Sequence, residues 1–186
     1  LFLQEGQIDN ALESLNKALN LGAQDGRIFG LIGFCHLRNE NYVAAEPAYR
    51  RAIMMEPKVK DWKTGLARCL LAQERYKEAS AMFRTLLNDE PDNANYWLFL
   101  ANTALGQGES MQAARYLEVV RMMGEAKADS LVLLGDIYMN EELSELAMES
   151  YMAALDLQQK PTARTVLPAT PLLSQYGALE QAQTML

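Results

Sequence analysis

The chain has 186 residues, of which 49% are hydrophobic and 22% charged, an ordinary composition for a folded protein with a real core. Its formal net charge of −7 argues against non-specific attraction to DNA, RNA or anionic lipid, so no nucleic-acid partner is expected. No apolar run approaches the roughly 18 residues that a membrane-spanning helix needs, so no membrane insertion is expected and the chain reads as soluble, its location unassigned.

Taken in chain order, the elements repeat. "QIDNALESLNKALNLGA", "YVAAEPAYRRAIMMEP" and "YKEASAMFRTLLNDEP" carry the same small and aromatic residues in register, 34 positions apart. Shifting the sequence by 34 aligns Ala11, Ala45, Ala79, Ala113 and Ala147. Four positions on stand Leu15, Tyr49, Phe83, Leu117 and Tyr151, and three further Ala18, Ala52, Leu86, Val120 and Ala154. Apolar spacing of four then three is one face of a helix, the second helix of each unit. Twelve residues before each of the last four alanines, Ile32-Gly33, Leu66-Ala67, Leu100-Ala101 and Leu134-Gly135 mark a first helix. Polar stretches such as "RNENY" and "AQERY" suit tight turns between two antiparallel helices. A small residue on one helix facing an alanine on the other brings the axes close, while the aromatic column fills the gap between units. Pro57 and Pro91, again 34 apart, stop the second helices. Pro47 is the exception. Inside a helix starting near Asn41 it would break one backbone bond at about 3 kcal/mol, so a bent or late-starting helix is expected there.

These columns resemble the tetratricopeptide repeat, W-x2-L-G-x2-Y, then A-x3-F, then P, over 34 residues. Trp97-Leu100-Ala101, Ala79-Phe83-Pro91, Leu131-Leu134-Gly135-Tyr138 with Ala147-Tyr151, and Phe29-Ile32-Gly33-His36 with Ala45-Tyr49-Pro57 carry the match. It covers about residues 1–160. The third unit places Trp62 one residue early, the fourth lacks its final proline, and the first keeps only Leu1-Phe2-Leu3 of its first helix. The resemblance implies an all-α, right-handed solenoid of antiparallel helix pairs, with five recognisable units over 1–160. Residues 161–186 follow as an irregular, proline-containing segment and a degenerate sixth unit or capping helix, starting from about Pro171 with Thr170 as its cap.

Enzyme chemistry finds little support, and neither metal nor cofactor is expected. His36, the single histidine, reads as a core or half-buried residue. There is no CxxC, HExxH or phosphate-binding glycine loop. Cys35 and Cys69 occupy equivalent points of adjacent units, about 8–10 Å apart across packed helices, too far for a disulfide, and read as reduced core residues. Met54-Met55 and Met122-Met123 read as plugs at the ends of second helices.

In the family the first helices line the concave face. The resemblance therefore implies a peptide-binding groove formed by Arg27, Leu31, Phe34, Arg38, Asp61, Thr64, Arg68, Asn95, Leu98, Phe99, Asn102, Asp129, Leu133, Asp136 and Asn140. "IFGLIGFCHL", "YWLFLANTAL" and "SLVLLGDIYM" are apolar nearly all round, so something should cover them: the chain's own helices or tail, or a partner segment. The lysine, asparagine and arginine cluster with which some relatives hold a terminal carboxylate is not matched. Residues 50–84 carry nine Lys or Arg against four acids, +5, leaving −12 for the remainder. Lys58, Lys60 and Lys63 form a basic patch that reads either as a solvated face or as a docking patch. With Lys60, Lys63 and Arg68 around the first helix of the third unit, the middle of the groove is expected to be its least negative part, where an acidic partner would be steered. The expected function is a non-enzymatic scaffold binding a peptide or protein segment; the alternative is a structural module that self-associates into a homo-oligomer within a larger protein.

Overall fold

The computed structural model describes residues 7–158 together with Ala163, Val166 and Thr170. Over them run α1 (Ile8–Asn20), α2 (Gly26–Arg38), α3 (Tyr42–Met55), α4 (Lys60–Ala72), α5 (Tyr76–Asp89), α6 (Ala94–Gly106), α7 (Ser110–Met122), α8 (Ala128–Asn140) and α9 (Ser144–Asp156), with no strand among the described residues. Contacts cluster into two compact units, residues 1–99 and 100–186, the division falling inside α6. The fold class is an all-α solenoid of helix pairs.

Within the first unit α2 packs on α3, α3 on α4 and α4 on α5; within the second, α8 packs on α9 and on α7. The alanine column explains how closely. Ala45, Ala79, Ala113 and Ala147 are fully buried, and so are the aromatics four positions on: Tyr49, Phe83 and Tyr151 are each at most 2% exposed. Tyr49 lies against Gly33 of its own pair and Gly65 of the next, and Tyr151 lies against Gly135. Small residues on the first helices thus make room for the ring.

Short turns set the period. Glu40, Glu74, Gly108 and Glu142, each 34 from the last, have φ of 57°, 59°, 75° and 60°. A left-handed residue therefore closes every turn inside a pair, three times against a side chain's ordinary preference. Between pairs there are two solutions. Glu56 and Glu90 leave the helical region with φ of −132° and −140° and ψ of 71° each, and each precedes a proline. Gly22 and Gly124, at the equivalent points, are left-handed with φ of 91° and 74°. Gly124 is what replaces the missing proline of the fourth unit.

Three expectations need correction. α3 starts at Tyr42 and runs through Pro47, so of the two expected solutions, a bend or a late start, the late start is not taken. The nitrogen of Pro47 cannot donate to the Val43 carbonyl, but Val43 is 78% exposed and water can take that bond. Asn41 secures the start by accepting from the Ala44 N–H at 3.2 Å. Met54 and Met122 are 75% and 84% exposed, so they plug nothing. Thr170 is helical, as are Ala163 and Val166, and its hydroxyl donates back to the Val166 carbonyl at 2.9 Å, so it is not a cap. The remainder of the tail, and Leu1-Phe2-Leu3, lie outside the described residues.

Candidate functional site

One face of α4 carries the residues expected to line a groove in the first unit. Asp61, Thr64, Gly65 and Arg68 share that face with Leu31 and Phe34 of α2, around a cleft of about 460 Å³. Trp62 and Tyr49 complete its lining. A second cleft of about 440 Å³ continues along the same helix. Arg68, Leu71 and Ala72 line it with Leu37 and Arg38 of α2, Glu40 of the following turn, Tyr42 of α3 and Phe99 of α6. Arg68 belongs to both. From Asp61 to Ala72 the helix rises about 16 Å, enough to lie beside roughly five extended residues.

Sequence reasoning missed Trp62. Its ring covers Gly30 so closely that a Cβ there would come within 2.5 Å, and its Nε1 donates to Glu56 Oε2 at 3.3 Å. The aromatic placed one residue early is turned by about 100° onto the groove side. Gly30, 32 residues upstream, was the legible signal.

The predicted groove residues divide by role. Leu31, Phe34, Asp61, Thr64 and Arg68 do converge, and Thr64 Oγ1 lies 3.1 Å from Tyr96 Oη, tying α4 to α6. Phe99 stacks on buried Phe83, centroids 4.8 Å apart at 13°, with the Arg68 guanidinium 5.9 Å over its ring. Phe99 is thus a packing residue whose free edge faces the cleft. Arg27 is engaged elsewhere: it binds Asp25 at 2.8 Å and, with its N–H, holds that carboxyl down at about 2. Asn95 is exposed and Leu98 half-buried. In the second unit Asn102, Asp129 and Asn140 are exposed and Leu133 is half-buried, while Asp136 accepts the Tyr151 hydroxyl at 2.8 Å and so serves packing.

The basic patch does not stay together. Lys60 pairs with Glu90 at 2.7 Å, and Glu90 also accepts from Asn93. Lys63 points to the other side of α4, with Arg50 and Met54, and Lys58 is exposed in the turn before α4. Of the cations expected at the middle of the groove only Arg68 is there, because 100° per residue carries position 63 away from 61, 64 and 68. Among the described residues Arg38 and Arg68 make no ion pair. His36 is half-buried; Cys35 and Cys69 are free and fully buried, with burial pushing Cys69 up to about 11.

Three family models described as tetratricopeptide repeat match residues 1–60, 36–103 and 128–161. The chain belongs to the tetratricopeptide repeat family. Repeats of this family are generally protein–protein interaction modules and typically non-catalytic. Solved structures agree on the fold of this repeat protein. PilF of Pseudomonas aeruginosa is 19% identical with a TM-score of 0.81, over 99% of this chain and 83% of its own. MamA of Desulfovibrio magneticus RS-1 is 15% identical with a TM-score of 0.77, over 84% and 88%. TTC0263, a thermophilic repeat protein of Thermus thermophilus, is 18% identical with a TM-score of 0.65, over 92% and 94%. No helix among the described residues is long and apolar enough to cross a membrane.

Proposed function

We propose that this repeat protein is a scaffold that binds an extended peptide segment of a partner along α4, an apolar side chain seated against Leu31, Phe34 and Trp62. The observation that carries this reading is the continuity of the two clefts through Arg68. One is walled by large apolar side chains on small-residue helices. The other is bordered by Arg38 and Arg68, neither in an ion pair among the described residues, against one carboxylate, Glu40, so its lining is net positive and an acidic group of the peptide would find counter-charge there. The Arg68 guanidinium rests over the Phe99 ring, which reduces the side-chain freedom to be lost on binding.

A random peptide library displayed on phage tests it. Selected peptides should share an apolar residue near an acidic one, and should lose about 2 kcal/mol of affinity on Phe34→Ala or Arg68→Ala. Peptides that bind both variants as well as the parent would remove the groove from consideration.

A further inference from the structure

A second cleft opens on the opposite side of α4. At 100° per residue, positions 63 and 66 lie about half a turn from the centre of the groove-facing set 61, 64, 65 and 68. There Lys63 and Leu66 form the floor of a space of about 470 Å³, walled by Arg50, Ile53 and Met54 of α3 and by Met82 and Thr85 of α5. Its origin is a single departure from the repeat. Position 63 aligns with Phe29, Trp97 and Leu131, and where those units carry a bulky apolar side chain this one has lysine. The aromatic that would fill the gap is Trp62, which faces the groove instead.

From this we infer that the α3–α5 cleft is a second binding site, independent of the groove, for an acidic partner segment that inserts an apolar side chain. Charge complementarity selects the occupant. The lining carries two cations and no acid, in the +5 stretch of a chain that is otherwise −12. Arg50 is partly answered by Glu46 at 2.7 Å, whereas Lys63 has no acidic partner among the described residues. The walls suit an apolar guest. Leu66 is 3% exposed and forms a firm base, while Met54 and Met82 can adjust their thioethers around an inserted side chain.

The test uses the full chain with 13C-methyl methionine and the probe peptide acetyl-Glu-Leu-Glu-Glu-Leu-Phe-Glu-amide. Met54 and Met82 should shift saturably while Met122 and Met139 stay still, and replacing every Glu of the probe by Gln should weaken binding about fivefold. Lys63→Trp, which restores the aromatic, should close the cleft and abolish the shifts. Lys63→Glu should weaken binding about tenfold without altering the parent's melting temperature enough to unfold it. Phe34→Ala should leave the shifts intact, which separates this site from the groove. Absence of shifts at Met54 and Met82 up to millimolar probe, equal binding of the neutral probe, or binding that survives Lys63→Trp would each overturn the inference.

Discussion

The ring of Tyr49 occupies the space that a Cβ on Gly65 would need, and the ring is only 2% exposed. Gly65→Ala gains up to about 1 kcal/mol of helix propensity but forces a buried aromatic into its neighbours. Net destabilisation of roughly 1–3 kcal/mol is expected in urea unfolding. Gly30→Ala should cost less, because half-buried Trp62 can swing toward the open groove. Equal losses at both sites would contradict this ordering.

Removing Pro47 should stabilise the protein. Pro47→Ala restores the donor to the Val43 carbonyl in the helix interior, and the site is exposed, so nothing else is lost. A gain of about 1–3 kcal/mol is expected, the full penalty being reduced by hydration of that carbonyl. No gain would mean the proline is accommodated without cost.

Phe34 and Phe99 should behave differently. Phe99→Ala removes the stack on Phe83 and is expected to cost about 2 kcal/mol of stability, below the range of a fully buried phenylalanine. Phe34→Ala should change the melting temperature much less. Parallel thermal melts decide it, and the reverse order would make Phe34 the core residue.

Glu46 bridges elements, accepting from Arg50 and Arg75 at 2.7 Å each and from Gln73 at 3.1 Å. Burial opposes its charge, yet the two arginines outweigh it and its pKa is lowered. A lowered folded value gives stability that is present above the ordinary carboxylate range and lost as pH falls through the folded value. Glu46→Gln should therefore destabilise by about 1 kcal/mol at pH 7, with the difference closing as pH falls below the ordinary carboxylate range. A gap independent of pH would assign the effect to packing.

At the alkaline end the sign reverses in pH. Burial raises the Cys69 thiol from 9.0 to about 11 and the Tyr138 hydroxyl, with help from Glu118, from 10.0 to about 12. Each is neutral when folded and ionises first when unfolded, so stability is full below pH 9 and falls as pH rises toward 11 and 12. Cys69→Ala should remove the earliest part of that loss, on the order of 2 kcal/mol by pH 11, as followed by urea midpoints. An unchanged profile would clear Cys69 of the effect.

The sequence by itself determined the repeat, the fold class and the core. Columns of Ala, aromatic and Gly at a spacing of 34 can be buried together only if each unit is a helix pair packed on the next, and local spacing is all that such an argument needs. The turns inside the pairs were also placed, though not their left-handed residue, since Glu at positions 40, 74 and 142 gives no sign of a positive φ. The direction of side chains on α4 was decided only by the tertiary structure. One residue's offset, Trp62 for Lys63, turns an aromatic into the groove and a cation out of it, and the offset means nothing until the neighbours are known. Whether Lys60 is a free charge likewise depended on Glu90, 30 residues away, because an ion pair is set by the distance between two side chains and not by the charge of either.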